Sequence, residues 1–257
     1  MSVSRNIWSK EELIVALSLY FQLPFGRLNH TTKEVIELAG IIGRTPNSVA
    51  LRLSNYAACD PYIINSGRKG MQGGVSVCMP VWKEYEHDRE KLFYDAEMIL
   101  ADMKNETIEK RLKINYVDLE GKDKLSYIKQ RVNQDAFRAM ILNNYAGRCA
   151  ITGINIESLL VASHIIPWSI NDRERLNPEN GICLSPLYDK AFDCGLISIL
   201  PNYEIVLSKE LKEYRNEIFY NVSFAPIEHT KIVLPEEHRP NPVFLQYHME
   251  NIFAAHN

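Results

Sequence analysis

The segment that decides the fold begins with Leu159-Leu-Val-Ala-Ser-His-Ile-Ile166. It continues through Asn180-Gly-Ile-Cys-Leu-Ser185 to Pro186-Leu-Tyr-Asp-Lys-Ala-Phe-Asp193. The first part is apolar and partly β-branched, which is typical of a strand, and a polar loop over residues 169–179 follows it. The second part is typical of a turn and a strand, and the third of a short helix that opens on proline. The predicted order is therefore strand, loop, strand and helix.

Three polar side chains lie at separate positions in these predicted elements. His164 lies in the first strand, Asn180 opens the second, and Asp189 follows nine residues later in the helix. A lone histidine in an apolar strand is usually a core or edge residue, but the asparagine and the aspartate at fixed places after it favour a site. The remaining histidines lack such a companion pattern, and we interpret them as surface or core residues: His30, His87, His229, His238, His248 and His256.

Weaker patterns flank this segment. Residues 135–145 have helical spacing, and Gly147 is suited to end that helix. Downstream, residues 196–200 and 203–207 alternate like a hairpin, and a last helix is predicted from Pro242. We interpret this C-terminal region as packing beside the strand and helix unit, without chemistry of its own.

Several motif blocks between about residues 128 and 200 resemble the HNH endonuclease family in its bacterial restriction-like branch, with weaker similarity through Tyr247-His248. The blocks are Arg131, Gln134, Phe137-Arg138, Cys149-x-x-Thr152-Gly153, Ser163-His164-Ile165-x-Pro167-Trp168, Asn180-Gly181-x-x-Leu184-Ser185 and Asp189-x-x-Phe192-Asp193-x-Gly195. The resemblance implies a ββα-metal fold, in which a two-stranded hairpin and a helix grip one divalent ion.

The resemblance also implies a role for each residue. His164 would be the general base that takes a proton from the attacking water, because imidazole titrates near neutrality. Asn180 would hold the loop between the strands and help orient that imidazole. Asp189 falls where the family usually has a metal-binding histidine or asparagine, and a carboxylate suits Mg²⁺ better than imidazole does. Mg²⁺, or another divalent ion such as Mn²⁺, is therefore the expected cofactor, and cleavage would leave a 5′-phosphate.

Two departures from the family pattern bear on the metal. The position before the base is often a metal ligand in the family, but here it is Ser163, so the ion would be held by fewer protein groups. Asp193 is a further candidate ligand, although a carboxylate that caps the turn at Gly195 explains it as well. Some relatives brace the hairpin with a structural zinc; this chain has no cysteine pair near it, only Cys149, and no zinc is expected.

The N-terminal region predicts three helices, over residues 9–22, 32–42 and 46–57. Ser9 and Glu12 form a capping-box pattern, and the run Gly43-Arg-Thr-Pro46 supplies a turn and a new start. This arrangement resembles a helix-turn-helix unit, and also the helices fused to such nucleases in bacteria. The candidate DNA-binding residues are Arg44, Asn47, Ser48 and Arg52 near the third helix, and Arg68 and Lys69 in a glycine-rich loop. A solvated helical bundle and a mobile connector remain the alternatives.

Composition limits the partners. The net charge of −3 argues against indiscriminate nucleic-acid coating, but residues 1–80 hold eight basic and five acidic side chains, so DNA contacts are expected there. The start of the chain has no apolar signal core, and its apolar runs are shorter than the roughly 20 residues that a bilayer span needs. The five cysteines are scattered, as expected of reduced thiols. We expect a cytoplasmic protein with no membrane partner.

The sequence therefore predicts an α+β protein in three parts. Residues 1–80 form a helical DNA-recognition domain, 81–125 a helical spacer, and 126–257 an HNH nuclease domain with a C-terminal hairpin and helix. The predicted function is a metal-dependent, restriction-type endonuclease that cuts double-stranded DNA as a homodimer, since twofold symmetry would address both strands. The alternatives are an inactive HNH-fold protein that binds DNA or regulates, and a nickase or RNA-acting nuclease.

Overall fold

The computed structural model describes residues 7–114 and 121–256 and has an α+β fold. Its helices are α1 (Lys10–Gln22), α2 (Lys33–Ile42), α3 (Pro46–Ala57), α4 (Pro61–Asn65), α5 (Val75–Tyr85), α6 (Arg89–Met103), α7 (Ile108–Arg111), α8 (Gly121–Asn144), α9 (Pro186–Asp193), α10 (Lys209–Lys212), α11 (Ile218–Ser223) and α12 (Pro242–Asn251). Its strands are β1 (Val161–His164), β2 (Gly181–Leu184), β3 (Ile197–Ile199) and β4 (Ile205–Leu207). Residues 1–6 and 115–120, which include the start of the predicted recognition domain and part of the predicted spacer, lie outside the described residues.

The start of α1 confirms the predicted capping box. The Glu12 amide donates to Ser9 Oγ at 3.2 Å, and the Ser9 amide donates to the Glu12 carboxylate at 2.8 Å. These two bonds satisfy amide groups that the first helical turn leaves without partners. The helix then buries a continuous apolar surface that includes Leu17, whose side chain is fully buried.

The turn between α2 and α3 also has the predicted form. Gly43 adopts a φ of 68°, a left-handed conformation that glycine accepts without strain. Thr45 caps α3 by accepting a hydrogen bond from the Ser48 amide at 3.2 Å, and Pro46 occupies the first helical position. The three predicted helices are therefore confirmed, whereas their contact with DNA stays a prediction.

The structure corrects the predicted division of the chain. It forms two units, residues 1–136 and residues 137–257, and the predicted spacer is not a separate element. Trp82 and Leu92 are buried in the same apolar core as Leu17, and α6 packs on α1. The reason is that α5 and α6 each carry an apolar stripe, which is stable only when it is buried against another element. Helix α8 begins in the first unit and ends in the second.

The second unit contains two antiparallel hairpins. Strand β1 pairs with β2, with Val161 opposite Leu184 and His164 opposite Gly181, and β3 pairs with β4. Helix α9 packs against β1, and α12 packs against β3. The predicted strand, loop, strand and helix order is therefore confirmed, as are the C-terminal hairpin and the last helix. Among the described residues, no helix has both the length and the apolar character needed to cross a bilayer.

Candidate active site

The position opposite His164 in the hairpin must be glycine. A β-carbon on Gly181 would lie 2.3 Å from Ile141 Cδ1 and 2.7 Å from Phe137 Cζ, both on α8. Because glycine has no side chain, α8 can approach the hairpin closely enough for the Phe137 ring to reach the imidazole. The Asn-Gly pair in the sequence therefore permits the packing of the site as well as the start of β2.

The His164 imidazole is held on two sides. Its ring stacks on Phe137, with centroids 3.7 Å apart and planes 13° from parallel, and the edge of Trp168 faces it at 5.4 Å. Nε2 lies 3.0 Å from the backbone oxygen of Arg175. A carbonyl can only accept a hydrogen bond, so Nε2 carries the proton and the lone pair of the neutral ring is on Nδ1.

The protonation state of His164 suits a base. Burial lowers the pKa of the imidazole, and the positive charge of Arg175 acts in the same direction, while the bond to the Arg175 carbonyl opposes them. The neutral form is therefore favoured at neutral pH. Nδ1 makes no hydrogen bond to any residue that the structure describes, so it is free to accept a proton.

Asn180 fastens the loop between the two strands. Its Oδ1 accepts from the Ile166 amide at 2.8 Å, and its Nδ2 donates to the backbone oxygens of Ile166 and Glu174, each at 3.2 Å. Asn180 is 1% exposed, and these bonds satisfy both the oxygen and the nitrogen of its buried amide. Asn180 has no direct hydrogen bond to His164 in the described structure. It holds the loop that carries the Arg175 carbonyl, and acts on the imidazole only through that loop.

Two carboxylates lie one helical turn apart on α9. Burial raises the pKa of Asp189, whereas the Ser163 hydroxyl and the charge of Lys190 lower it. Asp193 is exposed, yet its pKa is raised to about 6, first by partial burial and second by the negative charge of Asp189. Two acids that repel each other favour a bound cation, which would restore the charged form of both.

Ser163 provides a third oxygen beside this pair. It is 2% exposed, and its Oγ has no hydrogen-bond partner of regular geometry in the described structure, although it lies near enough to stabilise the charge on Asp189. A buried hydroxyl without a partner is uncommon and needs a ligand or a water. Oxygen donors alone fit Mg²⁺ or Mn²⁺, which would keep several waters. No group of three or more histidine, cysteine or acidic side chains within residues 7–114 and 121–256 has a metal-binding arrangement.

The structure thus brings the predicted residues together in two groups. Ser163 accompanies Asp189, while His164 accompanies the loop that Asn180 fastens. Consecutive residues of a strand point to opposite faces, which is why the two groups separate at the end of β1. We find no direct contact between the groups among the described side chains.

Two of the predicted DNA-binding residues of the first unit make contacts with its Trp8 ring. Arg44 is engaged within the unit: its guanidinium bonds both oxygens of Glu12, at 2.8 and 2.7 Å, and lies 4.4 Å from the centre of the Trp8 ring. Arg52 lies over the same ring at 4.8 Å, and its Nη1 is 3.6 Å from Cys78 Sγ. Both arginines pack inside the unit, and the bonds to Glu12 leave Arg44 few donors for phosphate.

The other four candidates differ in exposure. Asn47 and Lys69 are exposed, and Ser48 is half-buried at the start of α3. Arg68 is half-buried over the Phe25 ring, at 5.5 Å. Asn47, Ser48 and Lys69 are therefore the better placed for an external partner.

Two further residues of the second unit gain roles from the structure. The backbone carbonyl of Arg175 accepts the hydrogen bond from His164. The sequence contains one signal for this role, which is that Arg175 lies in the loop shortly before Asn180. His248, which we interpreted as a surface or core residue, is buried at 1% exposure against α9. Its ring stacks on Phe192 at 3.7 Å, Nε2 lies 3.0 Å from the Phe192 oxygen, and Nδ1 lies 2.8 Å from Ser198 Oγ.

The comparison with known families agrees with this geometry. Residues 149–200 match a family model described as HNH endonuclease. No curated protein matches the chain. The matched range includes β1, the loop, β2, α9 and β3, and it lies entirely in the second unit. The resemblance read from the sequence is confirmed over residues 149–200, which are similar to HNH endonucleases, and this match supports a nuclease-type function.

Proposed function

We propose that this protein is a metal-dependent DNA endonuclease in which His164 is the general base. The observation that carries the proposal is the setting of the half-buried imidazole: Nε2 is bound to the Arg175 carbonyl, Nδ1 is left to accept a proton, and a lowered pKa favours the neutral ring. Water would attack the phosphorus as its proton passes to Nδ1. A new phosphorus–oxygen bond forms, the bond to the 3′ oxygen breaks, and that oxygen takes a proton from solvent. The products are a 5′-phosphate and a 3′-hydroxyl.

The metal would be held by Asp189, with Ser163 and Asp193 as further oxygen donors. These groups fit Mg²⁺ or Mn²⁺ because the donors are hard, the two carboxylates repel each other, and the serine oxygen is buried without a partner. When bound, the ion neutralises negative charge on the phosphate and on the departing oxygen. Asn180 would hold the loop in place through its side-chain hydrogen bonds to the loop backbone, so that the base keeps one orientation.

The first unit would recognise the DNA. Asn47 and Ser48 lie at the N-terminal end of α3, the part of a recognition helix that meets base edges, and Lys69 is exposed on a basic loop. Double-strand cutting would use a homodimer, in keeping with restriction of foreign DNA. All five cysteines are unpaired, which fits a cytoplasmic protein.

Two other functions are compatible with the same fold. An HNH-fold protein that binds DNA without cutting is favoured by Ser163 at a position where the family often has a metal ligand. A nickase or an RNA-acting nuclease is chemically equivalent at the site, because each substrate is a phosphodiester. The retained His164 favours a cutting enzyme over the inactive alternative.

The deciding experiment is cleavage of supercoiled plasmid and phage genomic DNA with Mg²⁺, Mn²⁺ or chelator. The variants are His164→Ala and, as a matched control, His87→Ala, whose side chain is 91% exposed on the other unit. We expect metal-dependent fragments from the wild type and the control, and none from His164→Ala. Binding without cutting in any metal would support the inactive protein instead. Cutting of an RNA substrate alone, or nicking alone, would select the third function.

A further inference from the structure

Arg175 contacts the candidate base with its backbone, and its side chain packs on Trp168, which faces the base. Its carbonyl bonds His164 Nε2, its Nε donates to the Trp168 oxygen at 2.9 Å, and its guanidinium lies 5.2 Å from the centre of the Trp168 ring. The same guanidinium forms an ion pair with Asp172. A long cationic side chain is therefore held in one plane beside the imidazole.

This guanidinium has donors to spare. An arginine offers five N–H donors, and the described contacts occupy only Nε and Nη2 of Arg175. Nη1 has no hydrogen-bond partner among the described residues and is not among their fully buried polar atoms, so it faces solvent. The side chain as a whole is 23% exposed, so its stem is fixed while its tip is reachable.

The current partner of the guanidinium is easily exchanged. The Asp172 side chain is 78% exposed, and ion pairs with such an exposed carboxylate contribute little stability. A phosphate presents the same kind of oxygens with a comparable charge, and a planar guanidinium fits it with two parallel hydrogen bonds. The guanidinium lies 5.2 Å from the centre of the Trp168 ring, and the edge of that ring faces the imidazole at 5.4 Å, so a phosphate bound to Arg175 would lie close to the base.

We propose that Arg175 is a catalytic residue that binds a non-bridging oxygen of the phosphodiester to be cut, with Asp172 occupying its place until nucleic acid arrives. Trp168 fixes the plane of the guanidinium through its carbonyl and its ring. The fork then positions the phosphate beside Nδ1 of His164 and stabilises the charge that grows on phosphorus-bound oxygen during attack. This inference rests on the proposed nuclease function and adds a residue to its substrate site.

The test compares Arg175→Gln with Arg173→Gln, which removes the same charge from an exposed position of the same loop. Plasmid cleavage and metal-free binding of a DNA duplex over a range of salt are both measured. We expect Arg175→Gln to lower kcat about 100-fold, the size of effect seen for one lost transition-state donor. We also expect it to reduce the slope of log affinity against log salt by about one, whereas Arg173→Gln changes both much less.

A structural effect of the substitution is separated by two further measurements. Arg175→Lys keeps the charge but not the fork, and we expect cleavage between those of the wild type and Arg175→Gln. Added guanidinium ion should restore part of the activity of Arg175→Ala, which a distorted loop would not allow. Thermal unfolding of each variant identifies any that does not fold, and Arg175→Lys then carries the test.

The outcomes distinguish this inference from the function on which it rests. If Arg175→Gln or Arg175→Lys cuts as the wild type does, the inference is overturned and the nuclease function stands. If the wild type cuts nothing, the nuclease function fails, and metal-free DNA binding tests the phosphate contact alone. A salt dependence that is weaker for Arg175→Gln than for Arg173→Gln would support the contact. Equal salt dependence in the two variants would reject it.

Discussion

Acidification from pH 7 to pH 4 should destabilise the second unit through His248. The imidazole is 1% exposed, and burial lowers its pKa to about 4, while the hydrogen bond to the Phe192 carbonyl opposes the shift only in part. The unfolded chain holds this histidine near its ordinary pKa of about 6.5. Between those two values the unfolded state binds a proton that the folded state does not, so stability is lost as pH falls.

The magnitude follows from the difference between the two pKa values. At about 1.4 kcal/mol for each unit, the free energy of unfolding falls by about 2 kcal/mol between pH 7 and pH 5, and by about 3 kcal/mol at pH 4. The raised pKa of Asp193 acts in the opposite direction, because a carboxyl that is harder to ionise in the folded state stabilises it at low pH. The lowered pKa of His164 and the raised pKa of Asp189 add contributions of the same two signs, so a single pH curve mixes several effects.

A variant separates them. His248→Leu has nothing to titrate at this position. It leaves the Ser198 hydroxyl buried without its partner and removes one of the bonds to the Phe192 carbonyl, which still accepts from the Gly195 amide, so we expect it to lose about 2–4 kcal/mol at pH 7. Asp193, Asp189 and His164 titrate in both proteins, so their contributions cancel in the difference between the two. That difference should shrink by about 3 kcal/mol between pH 7 and pH 4. Urea unfolding at intervals across this range measures it.

The refuting result is equally definite. A difference between wild type and His248→Leu that stays constant from pH 7 to pH 4 would show that His248 titrates alike in the folded and unfolded states. The packing of its ring on Phe192 would then not be the neutral, desolvated contact that the structure describes. The control is Ser198→Ala, which keeps the imidazole and should retain most of the pH dependence.

Three more perturbations test the packing. Gly181→Ala would place a β-carbon 2.3 Å from a side-chain methyl group, and should destabilise the protein by about 1–3 kcal/mol and slow cleavage; Gly26→Ala, with open space around it, should do neither on thermal unfolding and plasmid assays. Arg44→Ala breaks a largely buried bidentate pair with Glu12 and should lower the free energy of unfolding, measured in urea, by about 3 kcal/mol. Arg44→Lys keeps the positive charge and should lower it less. Asn180→Ala removes three buried hydrogen bonds and should cost about 2–4 kcal/mol on thermal unfolding, and an unchanged midpoint would contradict its role in closing the loop.

Local patterns determined the elements. The capping box at Ser9, the turn at Gly43 and the proline that opens α9 each depend on residues within four positions of one another, and each was found where the sequence predicts it. The motif blocks from 149 to 200 likewise led to the HNH similarity, because a hairpin and a helix that pack together keep their polar residues at fixed spacings. The sequence alone therefore led to the HNH domain and to its candidate residues.

Only the tertiary structure decided what those residues contact. Phe137 stacks on His164 from 27 positions away in the chain, and Glu12 binds Arg44 from 32 positions away. His248 is buried against Phe192 of α9, from which it is 56 positions away. Spacing does not encode such partners, because packing selects them from every apolar or charged surface that folding brings together. The same reason explains why the predicted spacer became core, and why an arginine predicted to meet DNA instead stabilises its own unit.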